Sequence, residues 1–444
     1  MTSRSLFIFA LACGLMLAGL ATQSGGVIAL AIPLMIYFVT GQVARPDTLR
    51  ITVRRTLSAH KTTPGTPITV TLTLVNTGDR IDEAILADLL PDGLEVIEGD
   101  THTMTALSAG QTVTLQYVVR GARGEYRFGQ ANIWARDAFA LSQRQARVSA
   151  PAQLLIVPET SKVKAIDIRP ARTHGFAGPI PTRQAGVGSD FLAVRAYQPG
   201  DRLRQINWRL SARRSEQALY TNTLEQERIA DVGLILDARL ARDVRTPSES
   251  LFEYSVSATG SLADTFLRAG HRVGLLVYGG GGLMSVYPAY GRFQRQRILQ
   301  VLGQLTPGHH MFYESLKEIP TRFFAAQSQL VFIGPTDPDD IMPLVTLRAR
   351  SYSVIVVSPN AITFERPPAR SDGQTPAGMP TGMSTETPVQ ALALRIAQLE
   401  RAHGLRQLRR RSIQVIDWDV REPFESAATS ALLMPIVHQR GGVN

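Results

Sequence analysis

Asp237 follows the apolar run 232–236 and opens the pentapeptide Asp237-Ala238-Arg239-Leu240-Ala241. A carboxylate there, with oxygen ligands at alternate positions and an acid from a later loop, suits a hard divalent cation such as Mg²⁺. Asp337, in Gly334-Pro335-Thr336-Asp337, is the matching later acid. The alternate positions 239 and 241, however, carry a guanidinium and a methyl group, and neither ligates a cation. No metal is therefore assigned to Asp237 and Asp337, and Arg239 can neutralise Asp237 through a charge-assisted pair. A Mg²⁺-dependent binding module or enzyme built on these two acids is the alternative.

A second concentration of distinctive side chains is 188–213, GSDFLAVRAYQPGDRLRQINWRLSAR, with five Arg and interleaved aromatics. Pro199-Gly200 has the residues of a tight turn in which glycine supplies positive φ. Arg195 and Tyr197 would share one face of a strand. A helix beginning near Asp201 would stack Arg204 on Trp208 at i, i+4. The block holds no nucleophile–base pair, so it reads as an internal latch or a partner surface. Arg among aromatics also suits single-stranded nucleic acid. Without a recognisable nucleic-acid fold, that is the weaker reading. His309-His310 are adjacent and do not converge on a metal, and 279–282 reads as a hairpin turn. There is no Gly-Lys pair, no HExxH and no GxSxG, so no catalytic residue and no cofactor is assigned.

The elements that position these residues follow from periodicity. The chain has 444 residues, 44% hydrophobic and 19% charged, which suits two or three folded domains rather than disorder. Its single Cys, Cys13, excludes an intramolecular disulfide framework. Only four of its 47 basic residues are Lys, an Arg skew that weakens the net charge of +10 as a sign of a polyanion partner. Residues 5–44 lack any Asp, Glu, Lys, Arg or His and break at the polar turn 22–26. They read as a transmembrane hairpin within 1–45, with spans at about 6–22 and 26–42. Arg4 before it and Arg45, Arg50, Arg54 and Arg55 after it place both termini and the folded domains in the cytoplasm, at the bacterial inner membrane, with the lipid bilayer as partner.

Alternating strands at 49–56, 68–75, 111–120 and 130–136, punctuated by turns, predict an all-β immunoglobulin-like sandwich over 46–150. A connecting segment, 151–229, carries the 188–213 block. Strand–helix alternation over 230–420 predicts a doubly wound parallel α/β sheet, with strands at 232–236, 273–278, 330–333, 354–357 and 413–417. The Pro- and Gly-rich stretch 366–388 reads as a flexible insertion, 392–411 as an amphipathic helix with a solvated face, and 421–444 as a tail.

Gly188, Phe191, Arg195, Tyr197, Pro199-Gly200-Asp201, Arg204, Ile206, Trp208 and Ser211-Ala212-Arg213 resemble, in order and spacing, the signature of the bacterial domain-of-unknown-function family 58. Arg123-Gly124-Glu125-Tyr126, through Gly129 to Asp137, Phe139 and Leu141, resembles that family's upstream segment. The resemblance implies a von Willebrand A-like domain. In metal-binding domains of that kind an Asp-x-Ser-x-Ser loop stands where Asp237 does, so the resemblance implies that Asp237 and Asp337 are remnants of a degenerate metal site. The later threonine position falls near Gly308-His309-His310-Met311, which has no hydroxyl. The resemblance further implies association with a MoxR-type AAA+ ATPase. The resulting expectation is a non-catalytic, membrane-anchored scaffold or adaptor, working with that ATPase to assemble or remodel protein complexes. Its candidate interface is Gly188, Phe191, Arg195, Tyr197, Gly200, Asp201, Arg204, Trp208 and Arg213.

Overall fold

The structure is a computed structural model that describes residues 3–43, 49–136, 143–164, 168, 173–174, 180–213, 218–247, 249–280, 284–309, 323–365 and 388–432. The expected insertion 366–388 lies outside them except for its last residue, as do the motif residues 137, 139 and 141 and the tail from 433. The chain is mixed α/β and divides into two compact units, residues 1–157 and 158–444.

Unit 1 opens with helices α1 (Ser3–Ala21) and α2 (Gly25–Val43), which pack closely at Gly19, where a Cβ would lie 2.6 Å from Ile28. Among the described residues no helix is long and apolar enough to cross a membrane. This corrects the transmembrane hairpin and the inner-membrane placement derived from it. Each helix has 19 residues and includes polar ends, Ser3-Arg4 in one and Gln42 in the other. At about 1.5 Å per residue the apolar part falls short of a hydrocarbon core of about 30 Å.

The rest of unit 1 is antiparallel apart from one short pairing. Strands β1 (Ile51–Leu57), β2 (Lys61–Thr62), β3 (Ile68–Asn76), β4 (Ile81–Asp88), β5 (Leu94–Glu98), β6 (His102–Leu107), β7 (Thr112–Gly121), β8 (Gly124–Arg136) and β9 (Gln143–Ile156) form two sheets. Their orders are β1-β3-β7-β5 and β2-β9-β8-β4-β6. Strict alternation in β3 buries Ile68, Val70, Leu72 and Leu74, which share one core with Ile133 and Leu154 from the other sheet. Within that core Arg55 of β1 pairs with Asp88 of β4, both side chains fully buried.

Unit 2 holds β10 (Thr173–His174), β11 (Ile180–Ala196), α3 (Trp208–Arg213), β12 (Tyr220–Asp237), α4 (Leu251–Arg268), β13 (Arg272–Tyr278), β14 (Ser285–Ala289) and α5 (Gly291–Gln304). It continues through β15 (Gln329–Ile333), α6 (Pro338–Ala349), β16 (Ser353–Pro359), α7 (Ala361–Glu365), α8 (Pro388–Arg410), β17 (Gln414–Trp418) and α9 (Phe424–Leu432). The main sheet runs β14-β13-β12-β15-β16-β17. The expected doubly wound parallel sheet of a von Willebrand A-like domain is corrected here to a mixed one. β14 runs antiparallel to β13 at one edge, and the first half of β12 carries antiparallel β10 and β11. The polar composition of 220–229 hid that extension, whereas Val232, Leu234, Ile235 and Leu236, buried on both faces, read directly as a strand.

Behind β12, the ring of His271 is buried and its Nδ1 accepts the Ala230 amide at 3.3 Å. Burial lowers its pKa to about 4. With an unfolded value near 6.5, the neutral ring contributes stability in full above about pH 6.5, and that contribution is lost as pH falls through about 4. Unfolding of unit 2 is expected to become easier by up to about 3 kcal/mol from about pH 7 to 4. His271→Gln should flatten that part of the profile in a urea titration at each pH. An unchanged slope in the variant would assign the acid sensitivity to other groups.

Candidate functional site

Two places concentrate chemistry, at opposite ends of β12. At its carboxyl end the connections from β12 to β13 and from β15 to β16 leave in opposite directions, so a topological switch point lies between β12 and β15. Such crevices are where open α/β sheets bind ligands. Asp237 sits there, buried, and Arg239 turns back onto it. Arg239 Nε donates to Asp237 Oδ1 at 2.9 Å and Nη2 donates to Oδ2 at 2.6 Å. The same Nη2 lies 2.9 Å from both carboxylate oxygens of Asp340. The guanidinium also stands 4.9 Å from the centre of the Tyr278 ring, a cation–π distance.

Two glycines make room for this plug. A Cβ at Gly334 would lie 2.5 Å from Asp237 Cβ, and one at Gly279, where φ is +84°, would lie 2.3 Å from Arg239 Cγ. Burial pushes the Asp237 carboxyl above its ordinary range, against the pull of Arg239. For Arg239 burial works against the charge, yet its bonds to Asp237 and Asp340 outweigh it and hold the pKa above its usual value.

Asp337 does not join this cluster. It pairs with Arg242 and is the N-cap of α6, with Pro338 in the first turn and its backbone N–H donating to Asp340 Oδ2 at 3.3 Å. Asp340 is the residue that sequence reading missed. Its signal was the run Asp337-Pro338-Asp339-Asp340, which has the spacing of a helix start with an acid three residues after the cap. The residues present do not fit a divalent cation. Both oxygens of Asp237 are taken by a guanidinium, Asp337 is engaged elsewhere, and residues 238 and 241 offer only methyl groups. Gly308 is tied to the same loop by backbone bonds with Ala238 and Leu240, both 2.9 Å, and His309 is exposed. His310 and Met311 lie outside the described residues.

At the amino end of β12 the 188–213 block forms an arm. β11 pairs antiparallel with β12, with Arg195 opposite Thr221 and Phe191 opposite Leu224. Gly186 also faces Leu224, so Gly188 lies in a bulge between them. Arg195 is bidentate to Asp201, at 2.8 and 2.6 Å, and the Gln198 amide donates to Asp201 at 2.8 Å. Gly200, at φ +108°, turns the chain between them. The Tyr197 amide donates to the Leu219 carbonyl at 2.8 Å and continues the pairing past the end of β11.

Arg204 and Trp208 do not share one helix. Arg204 belongs to a single 3₁₀ turn, 203–205, Ile206 is extended and buried, and Asn207 accepts the Leu210 amide at 3.0 Å to start α3 afresh. Asn207 Nδ2 also donates to Asn222 Oδ1 at 2.9 Å, and Ser211 Oγ accepts the Tyr220 amide at 2.9 Å, fixing α3 on β12. The framework is thus internally bonded, while Phe191 and Trp208, each 61% exposed, and Leu203, 70% exposed, face solvent beside exposed Arg204, Arg209 and Arg213.

The family model described as "Protein of unknown function DUF58" matches residues 193–322, which cover most of the arm and the first part of the main sheet. The chain is 29% identical over 199 residues to the uncharacterised protein YeaD of Bacillus subtilis, spanning 44% of this chain and 47% of that protein. It is 26% identical over 122 residues to an uncharacterised protein of Mycobacterium tuberculosis, spanning 27% of this chain and 37% of that protein. The chain thus matches less than half the length of either relative. A fragment of α-2-macroglobulin from Escherichia coli aligns at 17% identity with a TM-score of 0.20, over 26% of this chain and 24% of that one, a likeness too slight to bear on fold or function.

Proposed function

We propose that this chain, a member of the DUF58 family of unknown function, is a non-catalytic scaffold that binds another protein through the arm. The observation that carries this reading is the exposure of Phe191, Leu203 and Trp208 on a framework whose polar groups are already bonded to one another. Large apolar and aromatic groups held rigidly at a surface are the anchors of protein interfaces, and Arg beside them is the cation most favoured there. The plugged switch point supports the same reading, because the crevice where an α/β enzyme would bind its ligand is filled by Arg239. It also weighs against a Mg²⁺-dependent activity through Asp237 and Asp337. A MoxR-type AAA+ ATPase is the partner that the family resemblance implies, and assembly or remodelling of protein complexes is the work.

The test is direct titration of the purified full chain against the MoxR-type ATPase of the same genome. Trp208→Ala is expected to weaken binding by about 30-fold, equal to an anchor worth about 2 kcal/mol. Phe191→Ala should weaken it as well, whereas Asp337→Asn should not. No binding by the unaltered chain, or equal binding by Trp208→Ala, would refute the reading.

A further inference from the structure

We infer that α8 is the seam of a parallel, in-register homodimer. Val389, Leu392, Ile396 and Leu399 recur at alternating spacings of three and four residues, the a and d positions of two heptads. All four are large, apolar and 47–75% exposed. The opposite side of the helix is occupied. Leu394 and Ala397 are half-buried, Leu405 and Leu408 are buried in the core, and a Cβ at Gly404 would lie 2.9 Å from Ile341 of α6. Arg401 on that side donates to Asp417 at 2.6 Å and to the Ser358 carbonyl at 3.0 Å. Two faces of one helix are therefore built for burial, and only one is covered among the described residues. The seam ends at His403 and Arg406, the next a and d positions, both exposed.

The occupant follows from residue type and charge. β-branched Val389 and Ile396 at a, with Leu392 and Leu399 at d, is the combination that favours two parallel strands. Arg395 takes a g position and Glu400 the following e position, five residues on, the pair that meets across a parallel in-register dimer. Two-fold symmetry makes that contact twice. An antiparallel pair would instead set e against e and g against g, which leaves Arg395 and Glu400 on separate flanks of the seam where they cannot meet. Both are exposed, and neither forms an ion pair with a described residue of its own chain. The seam is short, about 15 Å along the axis, and an isolated helix of that length would not hold. Here the far end of α8 is already fixed to the sheet, so dimerisation does not bear the cost of forming the helix, and the small contact area fits a dissociation constant of about 1–100 μM.

Sedimentation equilibrium of the full chain tests this. The unaltered protein should dimerise in that range, and Ile396→Asp should weaken the dimer by about 100-fold, since symmetry places two carboxylates in the seam. Glu400→Arg and Arg395→Glu should each weaken it, and the doubly exchanged Arg395→Glu/Glu400→Arg protein should recover it. Because both positions are exposed, this pair reports on association without threatening the fold. In a Cys13→Ser background, Leu399→Cys should form a disulfide-linked dimer on mild oxidation, as a parallel in-register seam brings identical d positions together. A protein monomeric at about 0.5 mM, a dimer indifferent to Ile396→Asp, or failure of the exchanged charges to restore association would overturn the inference. So would a monomer that sediments with phosphatidylglycerol vesicles in an Ile396-dependent way, which would make the stripe a lipid-facing surface.

Discussion

Asp88→Ala is expected to destabilise the β unit by about 3–5 kcal/mol, enough to unfold much of it at ambient temperature given typical stabilities of about 5–15 kcal/mol. Arg55 Nε donates to Asp88 Oδ2 at 3.1 Å, its Nη2 bonds the other oxygen, and Tyr117 donates its hydroxyl to Oδ2 at 2.6 Å. The guanidinium also lies 5.0 Å from the centre of the Phe128 ring and bonds the Ala150 carbonyl. Burial, together with the bond to Asp88, pushes the Tyr117 phenol far above its ordinary pKa, so it remains a donor across the physiological range. Removing Asp88 strands a guanidinium that cannot lose its proton in a site with no water access. Tyr117→Phe removes a single bond to a charged acceptor and should cost less, about 1.5–3 kcal/mol. Arg55→Met/Asp88→Leu/Tyr117→Phe removes all the polar groups at once and should come back close to the original stability, because the pair must recover its own desolvation before it stabilises anything. Chemical denaturation read by hydrogen exchange in β3 and β7 separates these cases. A loss below about 1 kcal/mol for Asp88→Ala would mean that Arg55 finds water or another acceptor, and the network would then be incidental.

The cluster was half visible in the sequence. Strand 49–56 reads as alternating, and on its inward row, Ile51, Val53, Arg55, a cation stands where an apolar residue belongs. Asp88 breaks the inward row of β4 in the same way. A charge on a buried row demands a partner, but which one is fixed by how the two sheets stack, and no local pattern states that. The main sheet divides similarly. The strand ending at Asp237 is legible because a two-sided buried strand is a continuous apolar run, and the Arg239 pair is legible because it is local. Asp340 is 101 residues from Arg239 in the chain and reaches it only because β15 pairs beside β12. The arm shows the limit of periodicity: helical spacing of Arg204 and Trp208 was real in the sequence, but Asn207 between them is a better helix cap than helix interior, and the cap prevailed. The apolar count of 5–44 was real as well. The break at 22–26 was legible too, but the two helices it leaves, 19 residues each with polar ends, are not long and apolar enough to cross a membrane.

Arg239→Met should cost unit 2 about 3–5 kcal/mol at neutral pH, because the side chain that fills the switch point also neutralises two carboxylates there. The loss should depend on pH in a direction set by Asp237. Its folded pKa already lies above the unfolded value, so its contribution is present in acid and is lost as pH rises through the folded pKa. Without Arg239 that pKa rises further. The variant should therefore approach the parent in stability near about pH 4 and fall away from it toward neutrality. Asp237→Asn added to Arg239→Met should return part of the neutral-pH loss by removing one uncompensated charge. Arg239→Ser separates a plug from a cation site. Nη2 of Arg239 now sits within 2.6–2.9 Å of three carboxylate oxygens, an arrangement a small hard cation could inherit once the guanidinium is gone. In about 10 mM Mg²⁺ the serine variant is expected to regain about 1.4 kcal/mol if its Kd is about 1 mM, while the parent stays unchanged. A parent protein stabilised by Mg²⁺ through Asp237 would show that the plug yields to metal, and the case for a scaffold without ligand chemistry at this crevice would fail with it.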